Sequence, residues 1–270
     1  MLRTRIISAA IAVAVLVPLV LWGGVAGVAL LVAVCSGVAF WELSRSLPGL
    51  SSRLSRGLTL ILGLAVIGAF YALPYRAVPA VVVGFPLLVV ALHLFLYNFI
   101  ENTVDSASQM IFVAGYVAVP LGHAVLLARL DLGIAWIFFV LVVICLGDAG
   151  AYFAGNYFGK HRLSPKVSPS KTLEGLAGGV AGNFAGMLVM EALVPGLLPI
   201  KPLALLTLLL AVAGPLGDLI ASALKRRLAI KDFGTFMPGH GGVMDRADSL
   251  ILALPAVYYF LTLSGLTVPQ

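Results

Sequence analysis

The chain has 270 residues, of which 61% are hydrophobic and 10% are charged, with a formal net charge of +6. Soluble domains carry about 25% charged residues, so this composition excludes a soluble globular protein. The apolar runs are long and continuous, which is typical of membrane-spanning helices rather than of short alternating strands. We therefore predict an all-α, polytopic integral membrane protein.

Nine apolar segments of roughly 16 to 25 residues, each long enough to cross a bilayer, are separated by short loops. Only Trp22-Gly23-Gly24 divides the first two, so a single long helix there would invert every later orientation. The first segment has no convincing signal-peptide cleavage site and is interpreted as an uncleaved span. The nine predicted spans are about 6–21, 24–43, 57–73, 78–97, 108–128, 133–154, 173–194, 203–224 and 246–266.

Basic residues are distributed unevenly between the two sides of this predicted topology. With the amino terminus in the cytoplasm, only Arg76, Arg129 and Lys201 of the 17 Lys and Arg residues fall outside, and the other fourteen fall inside. This asymmetry follows the positive-inside rule. We expect a multi-pass protein of the cytoplasmic (inner) membrane, with its carboxyl terminus outside. Its basic face would meet anionic lipids and nucleotides, and no nucleic-acid partner is expected.

Two predicted cytoplasmic loops are longer and more charged than the outer turns. They cover residues 155–172 and 225–245. Both lie in the second half of the chain, where the unusual polar residues are concentrated. We therefore predict one transmembrane domain over residues 1–270, with a membrane scaffold half at 1–145 and a catalytic half at 146–270.

Two aspartates lie within apolar segments, each preceded by glycine and each leading into one of the charged loops. They are Asp148 and Asp218. A carboxylate inside a span costs about 2.5–3.5 kcal/mol on insertion scales, and it usually faces protein or water. A structural hydrogen bond would explain one such residue, but the repeated arrangement favours a functional site.

The spacing of the acidic residues predicts a metal site. Asp218, Ser222 and Lys225 share one helix face at i, i+4 and i+7, and Asp245 and Asp248 share a face at i, i+3. Mg²⁺ is commonly held by one or two carboxylates together with substrate phosphates. The three aspartates Asp218, Asp245 and Asp248 are the predicted ligands of Mg²⁺ or Mn²⁺. For Asp245 alone, a favourable charge at a helix amino terminus is an equal alternative.

The two loops also contain donors suited to phosphate oxygens. Lys and Arg bind phosphate, Arg with two contacts at once, and glycines allow the backbone to approach an anion. For the loop at 155–172, an orientation signal is an equal alternative to phosphate binding. For His240, a role in bracing its loop is an equal alternative. The predicted substrate-binding residues are Lys166, Lys171, Ser222, Arg226, Lys231, Asp232, Gly239, His240, Gly241, Gly242 and Arg246, with Lys225 and Asp148 at the catalytic centre.

The predicted span that begins near residue 173 is preceded by polar residues, and one face of it consists of small residues. We predict that Ser168 or Ser170 caps this helix. A helix amino terminus is itself an anion site, to which the neighbouring lysines add positive charge. The small-residue face, which is suited to close helix contact, consists of Gly175, Gly178, Gly179 and Gly182.

Several of these motifs together resemble the signature of the phosphatidate cytidylyltransferases, also called CDP-diacylglycerol synthases. Gly147-Asp148 and the run from Ser168 to Gly175 resemble the same family upstream. Ser170, Leu173 and Ala247 depart from the family's usual Lys, Trp and bulkier apolar residue, but none of them removes a proposed ligand. The main match comprises Ser222, Lys225-Arg226, Lys231-Asp232, Gly234, Pro238-Gly239-His240-Gly241-Gly242 and Asp245-Arg246-Ala247-Asp248.

The resemblance implies a magnesium-dependent nucleotidyltransferase of phospholipid biosynthesis. Such an enzyme transfers CMP from CTP to phosphatidic acid in the bilayer, giving CDP-diacylglycerol and pyrophosphate, and the family resemblance suggests a homodimer. The residues themselves leave other functions open. These are a transporter or channel for an anionic solute, a CTP-dependent lipid-alcohol kinase, and a cytidylyltransferase that acts on an ether-linked lipid.

Overall fold

Eight long helices and one short hairpin make up the part of the chain that the structure, a computed structural model, describes. The description covers residues 2–96, 103–234 and 241–267, without the side chains of 2–13, 15, 96 and 103. Two 3₁₀ turns, Pro48–Leu50 and Tyr75–Ala77, precede α2 and α3. The elements in order are α1 (Leu2–Arg45), α2 (Arg53–Ala72), α3 (Val78–Leu96), α4 (Thr103–Ala128), α5 (Gly133–Phe158), β1 (Arg162–Ser164), β2 (Ser168–Thr172), α6 (Leu173–Leu193), α7 (Ile200–Arg227) and α8 (Met244–Leu263).

All eight helices, within these described ranges, are long and apolar enough to cross a membrane. The predicted class, an all-α polytopic membrane protein, is therefore confirmed. The predicted count of nine spans is not confirmed, because the first two predicted spans both fall within α1. The other seven predicted spans each correspond to one helix, α2 to α8, with ends that differ by a few residues.

Helix α1 is interrupted at Gly24, which has φ 53° and ψ −137°. This backbone conformation lies in a region that only glycine adopts readily. Along a continuous helix, Leu19 and Gly27 would be about 12 Å apart, at 1.5 Å per residue. Instead, a Cβ placed on Gly27 would overlap the carbonyl oxygen of Leu19. The chain therefore turns back on itself at the Trp22-Gly23-Gly24 sequence.

The backbone contacts divide the chain into two compact units. The first unit comprises residues 1–126 and 232–246. In it, the ring of Phe40 fills the space left by Gly63, and the ring of Phe70 fills the space left by Gly122. All of these contacts place large buried side chains against glycines, which brings α1, α2 and α4 close together.

The second unit comprises residues 127–231 and 247–270 and contains the closest helix pair, α5 and α6. A Cβ on Gly178 would meet Ala154 and the backbone of Gly150, and a Cβ on Gly182 would meet the carbonyl of Leu146. The predicted small-residue face of α6 is therefore confirmed as a contact surface. The division into a scaffold half and a catalytic half at residue 145 stays a prediction.

Candidate functional site

An ion pair joins the hairpin to the carboxyl-terminal half of α7 in the second unit. Lys171 Nζ donates to Asp218 Oδ2 at 3.0 Å, and it lies 3.5 Å from the carbonyl oxygen of Pro215. The two side chains are 27% and 24% exposed, so solvent only partly screens their attraction. Two residues that the sequence placed in different motifs, 47 positions apart, are thus in direct contact.

Asp248 on α8 lies beside Asp218 because α7 and α8 pack closely at Gly217. A Cβ on Gly217 would overlap the carbonyl oxygen of Asp248. The Asp248 side chain is within hydrogen-bond reach of Asp218, and Lys225 is a neighbouring positive charge. Oδ1 of Asp248 also accepts the Ser249 N–H at 3.0 Å. Two half-buried carboxylates therefore face one another with lysines close by.

Asp148 on α5 completes this group of charged residues. Asp218 and Lys171 are the charged groups that act most strongly on its carboxylate. Asp148, Lys171 and Asp218 also line a cavity of about 400 Å³, together with Tyr152 and Asn156 of α5. The predicted residues Asp148, Lys171, Asp218, Lys225 and Asp248 are thus gathered in one place, with Ser222 one turn beyond Asp218 on α7.

The carboxylates of this cluster suit a metal held mainly by its substrate. Across the described part of the chain, no three His, Cys, Asp or Glu side chains lie close enough to share one ion. Mg²⁺ is commonly bound through one or two carboxylates, with phosphates and water completing the shell. The adjacent oxygens of Asp218 and Asp248 fit that pattern, since a cation between them would relieve their mutual repulsion.

A two-stranded hairpin, which the sequence analysis did not predict, holds Lys171 in place. Strands β1 and β2 are antiparallel, with Arg162 opposite Thr172. The side chain of Thr172 caps α6 by accepting the Gly175 N–H at 3.0 Å. The prediction that Ser168 or Ser170 caps this helix is therefore wrong, because both lie in β2, two or more residues before the cap.

Glu174, in the first turn of α6, fastens the base of the hairpin. Its Oε2 accepts the backbone N–H of Lys160 at 3.0 Å and that of His161 at 3.2 Å, and its Oε1 lies 2.6 Å from His161 Nδ1. These contacts, together with the Thr172 cap, fix both ends of the hairpin. Lys171 immediately precedes the cap and is positioned by it.

The other three basic residues of the second unit that were predicted to bind phosphate lie further out. Lys166 is exposed at the hairpin turn. Arg226 is exposed at the end of α7, and its Nε donates to the carbonyl oxygen of Val167 in the same turn at 3.4 Å. Lys231 is exposed beyond α7. The three cations are accessible to a charged substrate or to lipid headgroups.

The other predicted site residues belong to the first unit. Asp245 is buried, and its Oδ2 accepts the N–H groups of Phe233 at 2.9 Å and Gly242 at 3.0 Å. Asp232 is exposed, and its Oδ1 and the Asp245 carboxylate both lie near Gly241, which has a φ of 81°. Asp245 thus holds a backbone turn, and its role as a metal ligand stays a prediction. Arg246 is exposed, and Gly239 and His240 lie outside the described residues.

One residue in this unit was missed by the sequence analysis. Glu42, near the end of α1, is only 6% exposed, and its carboxylate accepts backbone N–H groups from residues 243 and 244. It is the only acidic residue among positions 1–100. An ionisable side chain inside an otherwise apolar span is by itself a functional signal, which could have identified it.

The fold and the site define a polytopic helical membrane protein with a centre of carboxylates and lysines beside a cavity. The chain belongs to the cytidylyltransferase family, whose model matches residues 3–264. The match covers nearly the whole chain, including both units and every predicted site residue.

Curated relatives from several bacteria share this similarity. The chain is 40% identical over 162 residues to the phosphatidate cytidylyltransferase of Bacillus subtilis strain 168, covering 60% of each protein. It is 42% identical over 129 residues to that of Staphylococcus epidermidis strain RP62A, covering 48% of the chain and 50% of the relative. The corresponding protein of Mycobacterium tuberculosis strain H37Rv is 35% identical over 162 residues, covering 60% and 49%. The matches thus span between about half and three fifths of these relatives.

Proposed function

We propose that the chain is a phosphatidate cytidylyltransferase, which transfers CMP from CTP to phosphatidic acid and releases pyrophosphate. The observation that carries the proposal is the cluster of Asp148, Asp218 and Asp248 around Lys171 and Lys225. A polar centre of this kind in a helical membrane protein suits the transfer of a phosphoryl-linked group to a lipid. Membership of the cytidylyltransferase family and the printed names of the relatives support the same reaction.

In the proposed reaction, a phosphate oxygen of phosphatidic acid attacks the α-phosphorus of CTP. A new phosphorus–oxygen bond forms, the bond to the oxygen that bridges to the β-phosphate breaks, and pyrophosphate leaves with the electron pair. The attacking phosphate is already ionised near neutral pH, so no strong general base is required. The protein therefore acts mainly by positioning the reactants and by neutralising charge.

The lysines of the cluster suit that task. Lys171 lies on the cavity wall, where its ammonium group can exchange its contact with Asp218 for a phosphate oxygen. Lys225 is a positive charge close to Asp248. Arg226 and Lys231, both exposed, would meet the outer phosphates of CTP.

Asp218 and Asp248 would hold Mg²⁺, or Mn²⁺ in its place, with Asp245 as a further proposed ligand. When bound, such an ion neutralises phosphate charge and orients the reacting groups. The donor set of carboxylate oxygens beside a cavity suits this hard cation. Asp148, on the cavity wall, would attract the Lys171 ammonium group and help to hold it in place.

The uneven distribution of Lys and Arg supports a location in the cytoplasmic membrane with the polar loops and the amino terminus inside and the carboxyl terminus outside. Phosphatidic acid would reach the site from the surrounding lipid, with its acyl chains remaining in the bilayer. A homodimer, which only the family resemblance suggests, would be measured by mass photometry of the detergent-purified protein.

The decisive experiment supplies purified protein with CTP labelled at the α-phosphate, phosphatidic acid and MgCl₂. We expect the label in a lipid product and one pyrophosphate released per lipid formed. A CTP-dependent lipid-alcohol kinase would instead leave the label in CDP, and an ether-lipid cytidylyltransferase would prefer ether-linked phosphatidic acid over the diacyl form. Absence of both labelled lipid and pyrophosphate would exclude the proposed activity.

Removal of the central carboxylates provides the residue-level test. Asp218→Asn and Asp248→Asn should each lower kcat by about 10²–10³-fold, the scale seen when one electrostatic contact to a transition state is lost. Asp105→Asn, which changes an exposed aspartate in the first turn of α4, serves as the matched control and should retain activity. If both substitutions in the cluster left product formation unchanged, the site assignment would be wrong.

A further inference from the structure

Glu42 occupies an unusual place for an acidic side chain. It lies in the last turns of α1, is almost completely buried, and belongs to the first unit together with residues 232–246. Burial of a carboxylate is unfavourable unless hydrogen bonds replace its hydration. Here Oε1 accepts the Val243 N–H at 3.2 Å and Oε2 accepts the Met244 N–H at 3.1 Å. A residue 201 positions earlier in the chain thus satisfies two neighbouring amides.

These two amides lie at the start of α8, which begins at Met244. The first N–H groups of a helix have no partners within that helix, and its positive end attracts a negative charge. Glu42 provides both the acceptors and the charge. The next residue in the helix, Asp245, binds the amides of Phe233 and Gly242. Two carboxylates therefore hold four backbone amides of this segment.

Two glycines make room for the Glu42 carboxylate. A Cβ on Gly234 would overlap Oε1, and a Cβ on Gly242 would come within 2.5 Å of Oε2. Gly242 is one of the glycines that the sequence analysis associated with phosphate approach, and Gly234 belongs to the stretch that resembles the family signature. Their contacts with Glu42 give them a second reason to lack a side chain, and they link residues 42, 234 and 242 to one buried charge.

We infer that Glu42 is a positioning residue, which clamps the segment from Gly242 to Met244 and thereby fixes the start of α8. The first two turns of that helix carry Asp245, Arg246 and Asp248. The inference rests on the proposed function, because it assigns Glu42 a role in cytidylyl transfer without contact to either substrate. A small displacement of positioned groups can lower a rate by about 10²-fold.

The first test is Glu42→Gln, which keeps the size of the side chain but replaces one acceptor oxygen with a donor. We expect faster hydrogen–deuterium exchange, by about tenfold or more, in the peptide that contains Val243 and Met244. We also expect kcat to fall about 10–100-fold, as for other supporting contacts around a metal site. The KM for CTP should change less than about threefold. The matched control is Glu191→Gln, which alters a carboxylate that accepts one backbone N–H, from Gly196.

The second test displaces Glu42 without changing any charge. Gly234→Ala adds a methyl group where the Glu42 carboxylate lies, so it should reproduce both the faster exchange and the lower kcat. Gly68→Ala, at a glycine whose Cβ would meet nothing within 4 Å, is the control. Thermal unfolding of each purified variant would show whether the fold is retained.

The outcomes separate this inference from the proposed function. Unchanged exchange in Glu42→Gln and Gly234→Ala would refute the clamp, and faster exchange with unchanged kcat would refute the positioning role. If the wild-type protein formed no CDP-lipid, the proposed function would fail and the catalytic role with it. The exchange measurements would still decide whether the clamp exists.

Discussion

Lys171 occupies the point where three separate parts of the second unit converge. It is the residue before the Thr172 cap of α6, it contacts Asp218 of α7, and it acts electrostatically on Asp148 of α5. Because its side chain is about one quarter exposed, a substrate phosphate could reach its ammonium group and replace the contact with Asp218. A lysine in this position neutralises part of the negative charge of the acidic cluster, and in the proposed reaction it would be available to a phosphate of the substrate.

Replacement of Lys171 by Met should therefore impair the reaction more than it impairs folding. A hydrogen bond to a charged group contributes about 1.5–3 kcal/mol, which corresponds to roughly a 10- to 100-fold loss in kcat/KM for CTP. Lys171→Arg should recover part of this loss, since it retains the charge. The control is Lys201→Met at the exposed start of α7, which should behave like the wild type. Equal kinetics for Lys171→Met and the wild type would remove Lys171 from the site.

A residue of the site could be predicted from the sequence only where its type is unusual for the residues around it or where it belongs to a motif. An aspartate in an apolar span is conspicuous, so Asp148 and Asp218 were both identified. Their contacts were not, because one sequence does not show which helices are neighbours. Glu42 was overlooked because it lies among apolar residues far from the motifs, and its partners are backbone amides, which have no sequence signature.

At the scale of elements, the length of each apolar run determined most of the helices. The predicted spans 133–154 and 173–194 correspond to α5 (Gly133–Phe158) and α6 (Leu173–Leu193). The hairpin was not predicted, because its strands have only 3 and 5 residues and β2 contains a proline. Its stability comes from the contacts of Glu174 and Thr172 with neighbouring backbone rather than from strand propensity.

The contact between α5 and α6 gives a prediction about stability. Gly178→Ala places a methyl group against Ala154 and the backbone of Gly150. Overpacking of this kind costs about 1–3 kcal/mol, and each kcal/mol lowers Tm by about 2–4 °C for a domain of 150–250 residues. Tm would be measured in detergent by differential scanning fluorimetry.

The matched control for this contact is Gly115→Ala in α4, where an added Cβ would meet nothing within 4 Å. Alanine is favoured over glycine in a helix by about 1 kcal/mol, so this variant should be as stable as the wild type or more stable. Gly178→Ala should thus lower Tm, whereas Gly115→Ala should leave it unchanged or raise it. A Gly178→Ala protein as stable as the control would mean that α5 and α6 can move apart to make room for the methyl group without loss of stability.

At the scale of the whole molecule, the path of α1 decides the orientation of everything that follows. If α1 crosses the membrane once, eight spans place both termini on the same side. If it turns at Gly24 and crosses twice, nine spans place them on opposite sides. The uneven distribution of Lys and Arg favours the second topology. So does the approach of Gly27 to the carbonyl of Leu19, because a straight helix would keep these residues about 12 Å apart.

Reporter fusions can distinguish these two topologies. Alkaline phosphatase, which is active only outside the cytoplasm, should be active when fused after Gln270 and inactive when inserted after Lys166 in the hairpin turn. Green fluorescent protein, which folds in the cytoplasm, should show the opposite pattern. Because α6, α7 and α8 separate the hairpin turn from the carboxyl terminus in both topologies, the amino terminus is the position that distinguishes them. Green fluorescent protein fused before Met1 should fluoresce if α1 crosses twice, since the amino terminus then lies on the same side as the hairpin turn. Absence of fluorescence at the amino terminus, with fluorescence retained after Lys166, would mean that α1 crosses once. A Gly24→Leu variant sharpens the test, since leucine strongly disfavours the backbone conformation at that position. Straightening α1 in this way should destabilise the protein if the reversal at Gly24 is part of its native topology.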